Sequence, residues 1–195
     1  MRKKQRPTRR VGILTAQCQR ADQPNHVWSW DLLHDQTQGG GSLRILTLID
    51  EYTKQCLAIG VERSICALDA IGVLAQAIER YGQPEHIRSD NSPEFIARAL
   101  RDWIAQHQIK TLYISPGSPW EQAYIESFHD KLRDECLNRE VFASLAEARV
   151  IIENSRTEYN HSRPHSALGY LTPEEFVAQK DCGSSRLAQK TSRGL

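Results

Sequence analysis

Residues 26–34 read HVWSWDLLH. Val27, Trp28, Trp30, Leu32 and Leu33 place apolar side chains on both alternating faces of an extended chain. A strand that is apolar on both faces is covered on both, and so lies in the middle of its sheet. One residue does not fit. Asp31 puts a carboxylate inside this run, which is costly unless it is paired, hydrogen-bonded or metal-bound. Taken alone, Asp31 is equally well read as a structural acid near a strand end, satisfied by backbone groups.

Working outward, QTQGGGS (36–42) is a glycine-rich turn, LRILTLID (43–50) a second strand, EYT a turn, and KQCLAIGV (54–61) a third strand. Connections this short make an antiparallel meander. The period then changes. Ile65, Leu68, Ile71, Leu74, Ile78 and Tyr81 recur at spacings of three and four, which predicts one face of a helix. Ser64 is the expected cap, and Gly82 with Pro84 ends the helix. EHIRS (85–89) is a brief strand. SPEFIARALRDWIAQH (92–107) is a helix with Phe95, Ile96, Leu100 and Ile104 turned inward. IKTLYI (109–114) is another strand, and SPGSPW (115–120) a loop. A long helix starts near Glu121. Ser144 with Glu147, and Thr172 with Glu175, open two more as capping boxes.

The order is β-β-β-α-β-α-β-α-α. Strands entered by helical crossovers lie parallel to the strand they join. The expected fold class is therefore α/β: a mixed five-stranded sheet, three antiparallel strands then two parallel, with helices on both faces.

Composition sets outer bounds. The 195 residues suit one domain with a substantial core, and 39% hydrophobic with 25% charged is ordinary for a globular chain. No apolar run approaches membrane length and no signal-peptide segment opens the chain, so the cytoplasm is the expected location. The net charge of +1 hides an asymmetry: residues 1–10 carry six basic side chains and no acid. Residues 181–195 carry three basic and one acidic, which leaves 16 basic against 23 acidic side chains in residues 11–180. Basic arms suit nucleic acid, though a solvated tail has the same composition. The acidic middle argues against a broad DNA-coating surface. Five cysteines without paired metal spacing read as reduced thiols. His161 and His165, four apart, lack the companions of a zinc site.

Two further carboxylates share the character of Asp31. Asp90 stands just past the strand EHIRS, and ligands gather outside the carboxyl ends of parallel strands. A helix cap is the plain alternative, but Ser92, Pro93 and Glu94 already supply cap and first turn, so the cap does not require Asp90. Glu126 lies in WEQAYIESFHDKLRDE, where Ile125, Phe128, Leu132 and Cys136 form the buried stripe. Glu126 and Arg133 flank it, and by themselves they describe a solvated face. If the fourth strand lies parallel beside the first, Asp31 and Asp90 become neighbours and the helix of Glu126 crosses the same end. Close like charges repel unless they are protonated or bridged by cations. Oxygen-only ligation suits Mg²⁺ or Mn²⁺. Two such ions about 4 Å apart can activate a water or a 3′-hydroxyl and stabilise the leaving oxygen of a phosphodiester.

WSWDLL, IRSDNSPEF and SPGSPWEQAYIESFHDKLRDECL together resemble the three catalytic motifs of the DDE transposases of bacterial insertion sequences, which have a retroviral-integrase-like core. Thirty-five residues separate Asp90 from Glu126, a spacing typical of that family, and YNHSRPHSALGYLTPEEF (159–176) resembles the same group's ending. The likeness runs from about Asn25 to about Gln179. It implies a ribonuclease H-like fold, with Asp31, Asp90 and Glu126 as catalytic metal ligands for a pair of Mg²⁺ or Mn²⁺ ions. It implies DNA cleavage followed by strand transfer. Arg133 matches a basic position that contacts DNA near the scissile phosphate, with Lys131 assisting, and Asn91 matches a residue that orients ligands or DNA. Trp120, beside the loop before the catalytic helix, reads either as core or as a stacking platform for DNA. The sequence departs from the family at Ser92, where glycine is usual, and at Gln122 and Ala123, where Asn-Gly is usual; Gln122 lies in the loop expected to touch DNA.

The resulting division is a basic arm or linker over 1–24, an integrase-type catalytic core with a helical extension over 25–180, and a flexible tail over 181–195. Full-length relatives carry an N-terminal helix-turn-helix region, so the expected partners are DNA, further copies of the chain assembled on DNA, and an upstream-frame transposase part. A ribonuclease H-like nuclease that only hydrolyses, and a truncated remnant that binds DNA or intact transposase, are the competing readings. Tyr159, Arg163 and His165 are expected to dock the tail or face a partner subunit.

Overall fold

The expected meander forms from β1 (Val27–Gln36), β2 (Ser42–Asp50) and β3 (Cys56–Glu62). The computed structural model describes residues 20–90, 95, 97–114 and 123–180. After the meander come α1 (Ala67–Tyr81), β4 (His86–Ser89), α2 (Arg98–Gln106), β5 (Lys110–Tyr113), α3 (Ala123–Leu132) and α4 (Leu145–Ser162). A last helix, α5, spans residues 173–180. The sheet order is β3-β2-β1-β4-β5. β1 is antiparallel to β2 and parallel to β4, and β4 is parallel to β5. The mixed five-stranded sheet with β1 at its centre is thus observed as expected.

Alternation along the strands fills two cores. Trp28 and Trp30 on β1, with Leu46 and Leu48 on β2, pack under α1 and α2 against Ala70, Leu74, Leu100 and Ile104. Leu33, Leu43 and Ile45 face the other way, onto Ile125, Phe128 and Leu132 of α3 and Ala148 and Ile152 of α4. Each such buried side chain contributes about 1.5–3 kcal/mol of transfer free energy. Trp30 stacks on Phe95, with ring centroids 4.5 Å apart and planes within 15°.

The outer edge of β3 is closed by side chains of α4. Asn160 accepts the Cys56 N–H through Oδ1 and donates Nδ2–H to the Cys56 carbonyl, both at 2.9 Å. Arg156 Nη1 donates to the same carbonyl at 2.9 Å, and Arg149 Nε donates to the Val61 carbonyl at 2.9 Å. These contacts replace part of the strand neighbour that an edge lacks. Tyr159 meets Phe128 and His165 edge-on, with centroids 4.8 and 4.9 Å apart, and Arg163 pairs with Glu135, so these three residues pack within the chain.

Three local expectations are corrected. Ser64 does not cap α1; the helix begins at Ala67, with Cys66 as N-cap and the Asp69 carboxylate accepting the Cys66 N–H at 2.8 Å. Leu68 is 70% exposed rather than inward. The fully buried positions are Ala70, Leu74 and Ala77, and Ile65, Ile71, Ile78 and Tyr81 pack partly buried against the same core. The helix expected over 92–107 is not continuous: Ala97 is extended (ψ 136°) and α2 begins at Arg98. Ahead of that break, Phe95 is buried against Trp30. The two capping boxes are present in substance. Ser144 Oγ accepts the Glu147 N–H at 3.2 Å, while the Glu147 carboxylate takes the Ala143 N–H, one residue ahead of the expected partner. Thr172 and Glu175 satisfy each other reciprocally, at 2.9 and 3.2 Å. The arm over 1–19, the tail over 181–195, and Ile96, Ser92, Pro93 and Glu94 lie outside the described residues.

Candidate acidic site at the carboxyl ends of the parallel strands

Val27, Trp28 and Ser29 on β1 stand opposite His86, Ile87 and Arg88 on β4. Carried two residues further, the same register sets Asp31 beside Asp90. The parity of the strand decides which face Asp31 uses. Trp28 and Trp30 point to α1 and α2, so Asp31 points with Leu33 toward α3. Glu126 lies in the first turn of α3, on its exposed side.

The three carboxylates influence one another. Asp31 is pushed up from 3.8 to about 6, chiefly by burial; the Leu32 N–H opposes the shift, and the charges of Asp90 and Glu126 add to it. That Leu32 N–H donates to Asp31 Oδ1 at 2.7 Å. The oxygens of the three acids do not all fall within 4.8 Å of one another. The site is an open triangle of negative charge around a half-buried corner.

Two residues not singled out by the sequence reading support that corner. His129, on α3 and 7% exposed, presents Nδ1 to Asp31 Oδ2 at 3.7 Å, which is longer than a hydrogen bond. Its Nε2 lies 2.7 Å from Thr47 Oγ1, and Thr47 donates to the Asp31 main-chain carbonyl at 3.2 Å. Burial, then the Arg133 charge, lowers the His129 pKa to about 4, so the imidazole is neutral and the contact is not an ion pair. The signal was present in the sequence: a helix face buried at 125, 128 and 132 also buries 129. Below this lies a second polar network. Arg88 Nε donates to Glu51 Oε1 at 2.7 Å, Ser29 Oγ donates to the same oxygen, and both charged side chains are 5% exposed or less. Arg88, a charge within a four-residue strand, was the available clue.

Cations lie along α3, and the charge of Arg133 reaches His129 beside Asp31. Lys54 Nζ sits 3.2 Å from the centroid of the Tyr124 ring. Burial lowers Lys54 to about 8, against the raising influence of Glu51 and Asp50. Arg133 is exposed and Lys131 half-buried. Burial first, then the charges of Arg163, Lys54 and Lys131, lowers His165, so these cations share one neighbourhood. Of the residues expected at the site, Asp31, Asp90, Glu126, Lys131 and Arg133 are described, and Asn91, Trp120 and Gln122 lie outside the described residues. No helix among the described residues is long and apolar enough to cross a membrane.

Comparison with known proteins bears on the family and the fold. A family model described as Integrase core domain matches residues 21–119, about half of the chain, and a second of the same description matches 107–173. An uncharacterized 31.7 kDa protein of insertion element IS407 from Burkholderia multivorans is 43% identical over 156 residues, covering 80% of this chain and 56% of its own. An uncharacterized 39.2 kDa protein of IS476 from Xanthomonas euvesicatoria is 42% identical over 155 residues, covering 80% and 45%. Transposase InsF for insertion sequence IS3A of Escherichia coli K12 is 26% identical over 159 residues, covering 80% and 55%. The chain therefore spans about half the length of the curated relatives it matches. Among solved structures, the HTLV-2 integrase catalytic core domain in complex with magnesium superposes with a TM-score of 0.62 at 19% identity, covering 80% of this chain and 99% of that one. The BIV integrase catalytic core does so at 0.61 and 21%, covering 83% and 99%. These likenesses show the ribonuclease H-like fold. The sheet order, the acids at the carboxyl ends of its parallel strands and the match over residues 21–119 lead to one conclusion: the chain belongs to the integrase core domain family.

Proposed function

We propose that this chain is the catalytic core of an insertion-sequence transposase, a metal-dependent polynucleotidyl transferase that cleaves DNA and transfers the cut strand. The observation that supports the reading is that Asp31 is raised to about 6, chiefly by burial, with the charges of Asp90 and Glu126 adding to the shift. Three hard oxygen donors with surplus negative charge fit Mg²⁺ or Mn²⁺. Asp31 and Asp90 are the near ligands. Glu126, exposed and rotatable, closes the triangle from α3. When bound, a pair of such ions supplies activation of the attacking water or 3′-hydroxyl and stabilisation of the leaving oxygen.

The protein's own groups do the rest. The Leu32 N–H holds the Asp31 carboxylate and the Thr47 hydroxyl holds its main-chain carbonyl, with the neutral His129 ring packed alongside. Arg133 and Lys131 take the DNA backbone beside the scissile phosphate, and Asn91, Trp120 and Gln122 orient the strand. The basic residues of 1–24 add sequence-independent affinity for phosphates. In this reading, residues 25–180 are the core, two DNA ends are paired by further copies of the chain, and a helix-turn-helix part from an upstream frame finds the element ends. The protein then works in the bacterial cytoplasm, on the nucleoid.

The test is a strand-transfer assay with pre-nicked duplexes carrying the element's terminal repeats, in Mg²⁺ and in Mn²⁺. Wild type is expected to join the nicked end to target DNA, and Asp90→Asn is expected to join none. Cleavage without joining would make the chain a nuclease. Equal product from wild type and Asp90→Asn would remove the acids from the mechanism.

A further inference from the structure

A second group of metal-ligating side chains lies at the opposite ends of the same strands. We propose that His26, Glu85 and His86 form a binding site for a first-row divalent metal of the zinc class, separate from the acidic triangle. One ligand atom from each of the three lies within 4.8 Å of the others, the one such group among the described residues. His26 immediately precedes β1 and His86 opens β4, so the five residues from His26 to Asp31 place the two sites about 16 Å apart at about 3.3 Å per strand residue.

The backbone brings the ligands together before any ion arrives. His86 N–H donates to the His26 carbonyl at 3.0 Å, Glu85 N–H to the Asn25 carbonyl at 2.9 Å, and Lys110 N–H to the Glu85 carbonyl at 3.0 Å. The two imidazoles meet edge-on, with centroids 5.4 Å apart and planes at 67°. Each ring is also oriented by an outer partner. His26 Nδ1 lies 2.8 Å from Asp22 Oδ1, and His86 Nδ1 lies 3.3 Å from the His26 carbonyl. A carboxylate or a carbonyl on one ring nitrogen is the usual support of a histidine that binds metal through the other. Gln23 Nε2 donates to Glu85 Oε1 at 2.8 Å and steadies the third ligand. Two imidazoles and one carboxylate, with water completing the set, match zinc. His86 is 5% exposed while Glu85 is open to solvent, so one wall is rigid and the other gives access. Such an ion would staple His26, just ahead of β1, to the start of β4.

Zinc binding is measured by calorimetry and by thermal unfolding of the Asp31→Asn chain, in which the acidic triangle is already weakened. One zinc per chain is expected. The melting temperature should rise by about 5–10 °C at zinc 100-fold above Kd, each shift being taken from the same variant's metal-free value. Adding Glu85→Gln, at the solvent side, or His26→Gln, whose side chain is 12% exposed, should reduce zinc affinity at least tenfold and remove the rise. Replacing the exposed thiol by Cys66→Ser should change neither. An absent rise would overturn the site. So would a rise that survives Glu85→Gln, or one that disappears with Cys66→Ser.

Discussion

His129 faces Asp31 across 3.7 Å, and the two groups are displaced from their ordinary pKa values in opposite directions. The imidazole is lowered to about 4 and the carboxyl raised to about 6, burial being the first cause of both. Burial disfavours the charged form of each, so at neutral pH His129 is uncharged while Asp31 remains largely ionised.

Opposite pH dependences follow for stability. For Asp31 the folded pKa is raised, so its favourable contribution is full below about 4 and is lost as pH rises through about 6. For His129 the folded pKa is lowered, so its contribution is full above about 6.5 and is lost as pH falls through about 4. A shift of about two units corresponds to about 3 kcal/mol, so the two slopes largely cancel in wild type. Asp31→Asn should stabilise the metal-free protein by about 2–3 kcal/mol at pH 7.5, leave it unchanged at pH 4, and expose the acid lability due to His129. Urea unfolding at both pH values measures this. Mg²⁺ should narrow the difference at pH 7.5 by stabilising wild type alone.

Glu126 separates activity from folding. Its side chain is exposed on α3, so Glu126→Gln should move stability by no more than about 0.5 kcal/mol. Strand transfer should fall about a thousandfold or more, the loss expected when about 4 kcal/mol of transition-state stabilisation is removed. Unfolding and joining assays on the same preparation measure the two effects together.

The buried pair of Arg88 and Glu51 is a structural support under Asp90, two residues along β4. Truncating one partner leaves the other charge buried, which costs about 3–5 kcal/mol. Arg88→Met or Glu51→Gln should therefore lower the melting temperature by about 10 °C. Replacing both partners with apolar residues should recover much of that loss, and a double-mutant cycle measures it.

Asn160 predicts a local effect at the sheet edge. Asn160→Ala leaves the Cys56 N–H without its acceptor and removes one of two donors from the Cys56 carbonyl. A cost of about 1–3 kcal/mol is expected for each buried group left unsatisfied. Hydrogen exchange should accelerate at the Cys56 amide more than at amides of β1, and that comparison is the check.

Local pattern alone determined much of this protein. The two-faced apolar run of β1, the change of period at residue 65 and the turn chemistry between elements prescribe five strands and their crossovers, because these signals are written in neighbouring residues. The candidacy of Asp31 was legible too, since a carboxylate inside a central strand demands a partner. The tertiary structure alone decided the rest, because the deciding contacts join residues far apart in the chain. Strand register set Asp90 level with Asp31, and packing of α3 turned His129 and Thr47 beneath that corner. Packing on the sheet turned Ala70 and Ala77 of α1 inward and left Leu68 exposed. The side chain of Asn160 closed an edge strand 104 residues away. No periodicity encodes such distances; they arise only when the sheet has formed and its faces are covered.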